Sequence, residues 1–421
     1  MEMQTGIEKG TSSTSMGRLE SIHIDMDKTS ESTSFMKHWQ YLSIRGRVHA
    51  IDNLRTTLVV LIVLQHAVLY TISNITEHHI DVSQMQYSIL MLFVGLNKTV
   101  VVGMLYFVSG FGSACLMNTH IHIHGVHSSF RYTFEKTARI ARYIVGHYFA
   151  AIVIRRICVS KQFDTDISLM RYWTLREGRS ALLAESILFL LLLLVFDYLY
   201  ATTRTLNRHS DMIYKRIIFF PLQYHFGNVI AVAFMTLWTI SITHLMLNPP
   251  ARMSSFMGHI AQTNLDPHLL AQYAIAYLAG VNFFSFANFT LTEETLHVRN
   301  YWYKATLSLY LSFCTLFAIY RGYPTQILQV IKIEALPDQH SDQWLGSRSR
   351  SEEYTIFSVL YGLWTTATFL TVSSRLIQLA ITSPSLNKSW VLHSRSTLLQ
   401  PSIHICIFVG VGTVILKTPG S

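Results

Sequence analysis

The sequence predicts an all-α fold, a polytopic transmembrane bundle of about nine helices behind a disordered N-terminal tail. Three observations predict it. Half of the 421 residues are hydrophobic and only 14% are charged, whereas a soluble domain carries about 25% charged residues. Mean hydropathy is +0.31. The apolar residues are also gathered into runs close to the roughly 20 residues that a spanning helix needs.

The elements follow in order. Residues 1–45 are rich in Ser, Thr, Glu and Lys and lack a long apolar run, so they read as a disordered cytoplasmic tail. They are no signal peptide, because the first apolar stretch begins only near residue 54. Residues 46–421 form the transmembrane domain, with spans expected near 54–72, 91–117, 141–159, 181–200, 226–247, 268–287, 301–320, 354–381 and 398–416. Most prolines, such as Pro249, Pro250, Pro324, Pro337 and Pro384, fall between these runs, where a missing N–H costs no helix bond.

Charge sets the expected orientation. Lys and Arg number 33 against 24 Asp and Glu, a net +9. In a membrane protein such an excess belongs on cytoplasmic loops beside anionic lipid, so the bilayer is the expected partner and nucleic acid is not. Lys37, Arg45 and Arg47 precede the first span, residues 73–90 carry no Lys or Arg, and Arg131, Lys136, Arg139 and Arg142 lie in the next loop. This alternation places the N-terminus in the cytoplasm, although Lys161, Arg171, Arg176 and Arg179 run against it. Cys115, Cys158, Cys314 and Cys406 form no CxxC pair, so neither a disulfide framework nor a zinc–thiolate site is expected.

The first span carries the densest chemistry. Arg55 and His66 are eleven residues apart, three helical turns, and share a face to within about 20°. His66 then sits about 16 Å deeper than Arg55. Ionisable groups at such depth usually face a bundle interior and mark a site. The alternative is a neutral His66 bonded to a neighbouring helix, with Arg55 reaching lipid phosphates. Asp52, three residues before Arg55, is placed to pair with it.

Asp52-Asn53-Leu54-Arg55, ten further residues and then His66 resemble the opening signature of the acyltransferase-3 family of integral membrane O-acyltransferases. Leu105-Tyr106-Phe107-Val108-Ser109-Gly110-Phe111 is similar to that family's second-span FFxxSGF stretch, and Arg139-Ile140-Ala141-Arg142 to the basic RxxR opening of its third span. Gln272 to Gly280 resembles a YxxxFxxG segment, and Ser394-Arg395-Ser396 with Ile403-His404 the closing SR…YxxH region. The resemblance runs in order from about residue 50 to the C-terminus. It implies acyl transfer from an acyl-CoA-type donor to a hydroxyl acceptor, with His66 as general base and no resident cofactor. It further implies Arg55 as its catalytic companion and Arg139 and Arg142 on the donor phosphates. Glu185 and His404 are then the remaining substrate-binding candidates.

These roles suit the residue types. A hydroxyl is a poor nucleophile until a base takes its proton, and imidazole titrates near neutrality. Paired guanidiniums suit phosphate, although a basic pair also serves as a positive-inside anchor. Glu185 lies in an aliphatic run where a carboxylate needs a partner. Ser109-Gly110 reads as a point of close helix approach rather than as a nucleophile. His120, His122, His124 and His127 fall in the expected loop after the second span and read as a solvated cluster rather than a metal site. The chain departs from the family pattern at Tyr143, where a proline usually follows the basic pair, at Leu182-Leu183 before Glu185, and at Pro401 before His404. Two other classes therefore stay open: a transporter or channel with Arg55, His66 and Glu185 along its path, and an inactive membrane interaction protein.

Overall fold

The computed structural model describes residues 49–77, 83–124, 129–142, 145–146, 181–206, 225–248, 266–286, 298–331, 347–383 and 385–386. Among these residues every regular element is helical. In chain order they are α1 (His49–Glu77), α2 (Gln84–His124), α3 (residues 129–142), α4 (Ala181–Leu206) and α5 (His225–Leu247). A 3-10 turn, Pro267–Leu269, runs into α6 (Leu270–Phe286) and is followed by α7 (Val298–Gly322), α8 (Pro324–Ile331) and α9 (Ser347–Thr382).

Five of these helices are long and apolar enough to cross a membrane, over Ala50–Leu69, Gln84–Ile121, Leu188–Thr205, Val229–Leu247 and Glu352–Ala380. Helices α6 and α7 fall on the runs expected at 268–287 and 301–320. The tail 1–45, the run at 398–416 and nearly all of 141–159 lie outside the described residues.

The structure corrects two expected loops. Helix α2 continues to His124, and residues 129–142 are themselves helical, so the basic segment at 118–142 is mostly helix. His120, His122 and His124 ride on the last turn of α2 rather than in a loop. The expected loop at 321–353 contains α8 and the start of α9. Pro324 opens α8 at the first helical position, where the missing N–H is harmless. Ile327 and Val330, three apart, are both buried and dock this short helix.

Helix α2 is the axis of the bundle. Around its middle, Met104, Tyr106, Phe107 and Phe111 pack with Leu54 and Leu58 of α1, Leu193 of α4, Tyr273 and Tyr277 of α6, and Phe369 of α9. Near its start, Met91, Leu92 and Val94 join Ile72 with Leu316, Ile319, Phe357, Tyr361 and Trp364. The outer helices leave apolar stripes uncovered at helical spacing. Leu191, Val195 and Leu199 on α4 and Ile356, Leu360 and Leu363 on α9 are exposed, as hydrocarbon contact requires.

The closest packing is between α2 and α6, which run parallel. Tyr106 stacks on Tyr273, with ring centroids 4.9 Å apart. One turn on, glycines let the backbones touch. A Cβ on Gly110 would collide with the Tyr277 carbonyl oxygen, and one on Gly280 with that of Phe107. Both obstacles are backbone, which cannot rotate aside. Gly280→Ala should therefore lower stability by roughly 1–3 kcal/mol through overpacking. Gly112→Ala, with nothing within 4 Å of the new carbon, should be neutral or slightly stabilising. Unfolding by SDS in mixed micelles tests both; equal midpoints for the two variants would show that the seam yields.

Candidate functional site

Polar side chains gather where α2, α3, α4 and α6 meet. Asp197 lies in the apolar centre of α4 and is fully buried. A buried carboxylate persists only when its oxygens are occupied, and here both are. Lys136 on α3 approaches Oδ2 at 2.5 Å, and the Tyr277 hydroxyl donates to Oδ1 at 2.6 Å. The Lys136 ammonium also donates to Ser113 Oγ on α2 at 2.8 Å. Four helices are thus tied through one carboxylate.

Around this centre α4 is stitched to α3 and to the end of α2. Thr137 donates to the Tyr198 hydroxyl at 3.2 Å, Ser129 and Thr205 share a bond of 3.3 Å, and Arg204 donates to Asn118. The Tyr132 ring lies 5.5 Å from that of His120. Burial, reinforced by the Asp197 charge, pushes the Tyr132 hydroxyl well above its ordinary range, while the nearby Arg139 opposes this.

Several residues singled out in the sequence border this cluster. Arg139 and Arg142 are both exposed, one turn apart on α3. Each turns its Nε to a carbonyl of its own helix, those of Glu135 and Ala138 at 3.4 and 3.2 Å. The remaining guanidinium donors have no protein partner among the described residues. Lys136, one turn before Arg139, points inward to Asp197, so α3 has a buried anchor and an exposed basic edge.

Asp52 is half-buried and close enough to Cys115 to interact with it electrostatically. Its Oδ2 is buried with no hydrogen-bond partner among the described residues. The neighbouring Asn53 donates to the Leu386 carbonyl at 2.6 Å, fastening the start of α1 to the end of α9. Arg55 is exposed, although it lies about half a turn from the Leu64 stripe on the helical wheel. α1 therefore has accessible surface on two sides. Ser109 is half-buried beside the close contact at Gly110. The side chains of His66 and Glu185 and the whole of His404 lie outside the described residues.

A second polar group occupies the opposite end of the α2–α6 seam. Asp266 precedes the 3-10 turn but forms no side-chain cap. Its carboxylate pairs instead with Lys98 of α2 at 2.9 Å, both side chains being 9% exposed. His268 is fully buried with its ring 5.8 Å from Tyr361. Two bonds from α5 hold the turn: Trp238 Nε1 donates to the Pro267 carbonyl at 2.8 Å and Thr239 Oγ1 to that of His268 at 3.1 Å. Gln272 donates to the Thr99 carbonyl at 2.5 Å. Asn97-Lys98-Thr99 has the form of a glycosylation sequon, but Asn97 is buried within α2.

Among the described residues no group of three or more His, Cys, Asp or Glu could hold a metal ion. Sequence reasoning missed both Lys–Asp pairs. The available signal was a lone acid or base inside an apolar run, Asp197 within Leu193–Leu199 and Lys98 within Leu96–Val102.

Fold and site together define a helical bundle of membrane-crossing character with charged pairs sequestered in its interior. No family model, no curated protein and no solved structure matches the chain.

Proposed function

We propose that the chain is a multi-pass integral membrane O-acyltransferase of about nine spans, with residues 1–45 as a cytoplasmic tail. It moves an acyl group from an acyl-CoA-type donor to a hydroxyl acceptor, a carbohydrate, lipid or small metabolite. Two things support the reading: the ordered resemblance from Asp52 to His404, and the exposed pair Arg139 and Arg142 on a helix anchored inward by Lys136. The arginine pair carries most weight, because free guanidinium donors one turn apart suit a phosphorylated donor.

The chemistry runs as follows. The acceptor hydroxyl attacks the thioester carbonyl as His66 takes its proton. The C–S bond breaks, and His66 returns the proton to the departing thiolate, so the base is regenerated. Arg55, accessible on α1, steadies a donor phosphate or the thioester on its path to His66, about 16 Å deeper. Arg139 and Arg142 hold the donor phosphates at the edge of the bundle.

Arg139→Ala combined with Arg142→Ala should weaken acyl-CoA binding by about tenfold or more, the scale of one or two charge-assisted bonds. Binding to the unmutated protein should also weaken with added salt. Isothermal calorimetry in detergent measures both. An unchanged dissociation constant in the double variant would leave the arginines as membrane anchors and remove the donor site.

A further inference from the structure

We propose that the seam between α2 and α6 conducts protons between the two buried lysine–aspartate pairs at its ends. This function is separate from acyl transfer and does not rest on it. Thr99, Gly103, Tyr106, Gly110 and Ser113 are spaced four, three, four and three residues apart, so they form one face of α2. Every one is polar or glycine, although the rest of the helix is rich in Val, Leu and Met. That face meets α6 along its length. Gln272 bonds to Thr99, Tyr273 stacks on Tyr106, and the Tyr277 backbone touches Gly110.

Each end carries an ion pair. Lys98 and Ser113, the latter bonded to Lys136, are fifteen residues apart on α2, about 22 Å. This is most of the roughly 30 Å of a bilayer's hydrocarbon. Ionisable groups at such depth are costly and characteristically mark ion and proton paths. Both ends keep some access: the Lys136 side chain is 18% exposed, and those of Lys98 and Asp266 9%. Between them the phenol groups of Tyr106, Tyr273 and Tyr277 supply hydroxyls. At the Lys98 end Thr99 Oγ1 is buried without a hydrogen-bond partner among the described residues, and such a group is satisfied by water.

The proton count closes. A proton enters at Asp266 and passes along hydroxyls and water to Tyr277 and then Asp197. Protonated Asp197 releases Lys136, whose ammonium gives a proton to the aqueous side. The Asp197 proton then moves to the neutral amine and restores the pair. One proton enters, one leaves, and no other reactant is consumed.

The test is proton flux into phosphatidylcholine vesicles holding the purified full chain, a trapped pH-sensitive dye and valinomycin with potassium to balance charge. No acyl donor is present, so the outcome is independent of acyl transfer. The unmutated chain should acidify the lumen several-fold faster than protein-free vesicles do. Asp266→Asn, Asp197→Asn and Tyr277→Phe should each fall to the protein-free rate, while Leu199→Ala, on the exposed face of α4, should conduct normally. Tyr277→Phe keeps the ring and its packing, so it decides the matter if Asp197→Asn fails to fold. A wild-type rate equal to that of protein-free vesicles overturns the proposal. So does a folded Tyr277→Phe variant that conducts at the wild-type rate.

Discussion

Lys136→Met should be among the most destabilising single changes in the bundle, at about 3–5 kcal/mol, the cost of breaking a buried ion pair by removing one partner. Asp197 has no exposed surface, so its charge cannot turn to water when the ammonium is gone. Tyr277 still donates to Oδ1, but Oδ2 loses the Lys136 ammonium that faces it. Four helices also lose their common tie, since Lys136 reaches Ser113 as well. The reverse change, Asp197→Leu, should cost less, because Lys136 is partly exposed and can extend to the surface. Combining Lys136→Met with Asp197→Leu should recover much of the loss, because apolar replacement of both partners removes the stranded charge. SDS-titrated unfolding, followed by helical circular dichroism, measures all three. A Lys136→Met midpoint equal to that of the unmutated protein would mean the pair contributes nothing to folding.

His66→Gln should slow acyl transfer by roughly two to four orders of magnitude, the usual effect of losing a general base. Glutamine keeps a hydrogen-bonding group of similar reach and cannot take up the proton. Helix content and unfolding midpoint should not change, because α1 is continuous from His49 to Glu77 and glutamine is a good helix former. Protonated imidazole cannot act as a base, so the unmutated rate should fall on an acidic limb as His66 takes up its proton. The variant should lose that limb. Turnover of labelled acyl-CoA by purified protein supplies the readout, with His404→Gln alongside. A fully active His66→Gln with a dead His404→Gln would move the base to the C-terminal segment. Full activity in both would end the proposed mechanism.

The sequence revealed the helical class and most of its long elements, because hydropathy averages over a whole turn and tolerates single polar residues. The runs at 91–117 and 354–381 underestimate α2 and α9, which begin at Gln84 and Ser347. Their first turns are polar, with Gln84, Gln86 and Ser88 in one and Ser347 to Glu353 in the other. Hydropathy marks where a helix is apolar, not where its hydrogen bonds end. The same limit put His120 and Tyr132 in a loop. Gly110 was legible as a point of close approach, but its counterpart Gly280 was not, since pairing between segments 170 residues apart leaves no local trace. Lys136 was visible only as one of several basic residues, and Asp197 only as a blemish in a leucine run. Neither says which partner it will meet. That knowledge comes from the helix packing, which brings α3, α4 and α6 onto one side of α2.

The length of α2 has a consequence for how the molecule sits in a lipid sheet. Its apolar stretch of 38 residues would extend about 57 Å, nearly twice the hydrocarbon thickness. Tilts of up to about 40° absorb only part of that mismatch. The bundle resolves it by shielding: over an 18-residue apolar section of that stretch 78% is buried inside the protein, against 17% for the like section of α5 and 28% for that of α4. The stretches on α1, α4 and α5, of 20, 18 and 19 residues, extend about 27–30 Å. These peripheral helices, not the longest one, therefore fix the waterline. The central helix passes through as a keel, with both ends free to carry chemistry beyond the lipid.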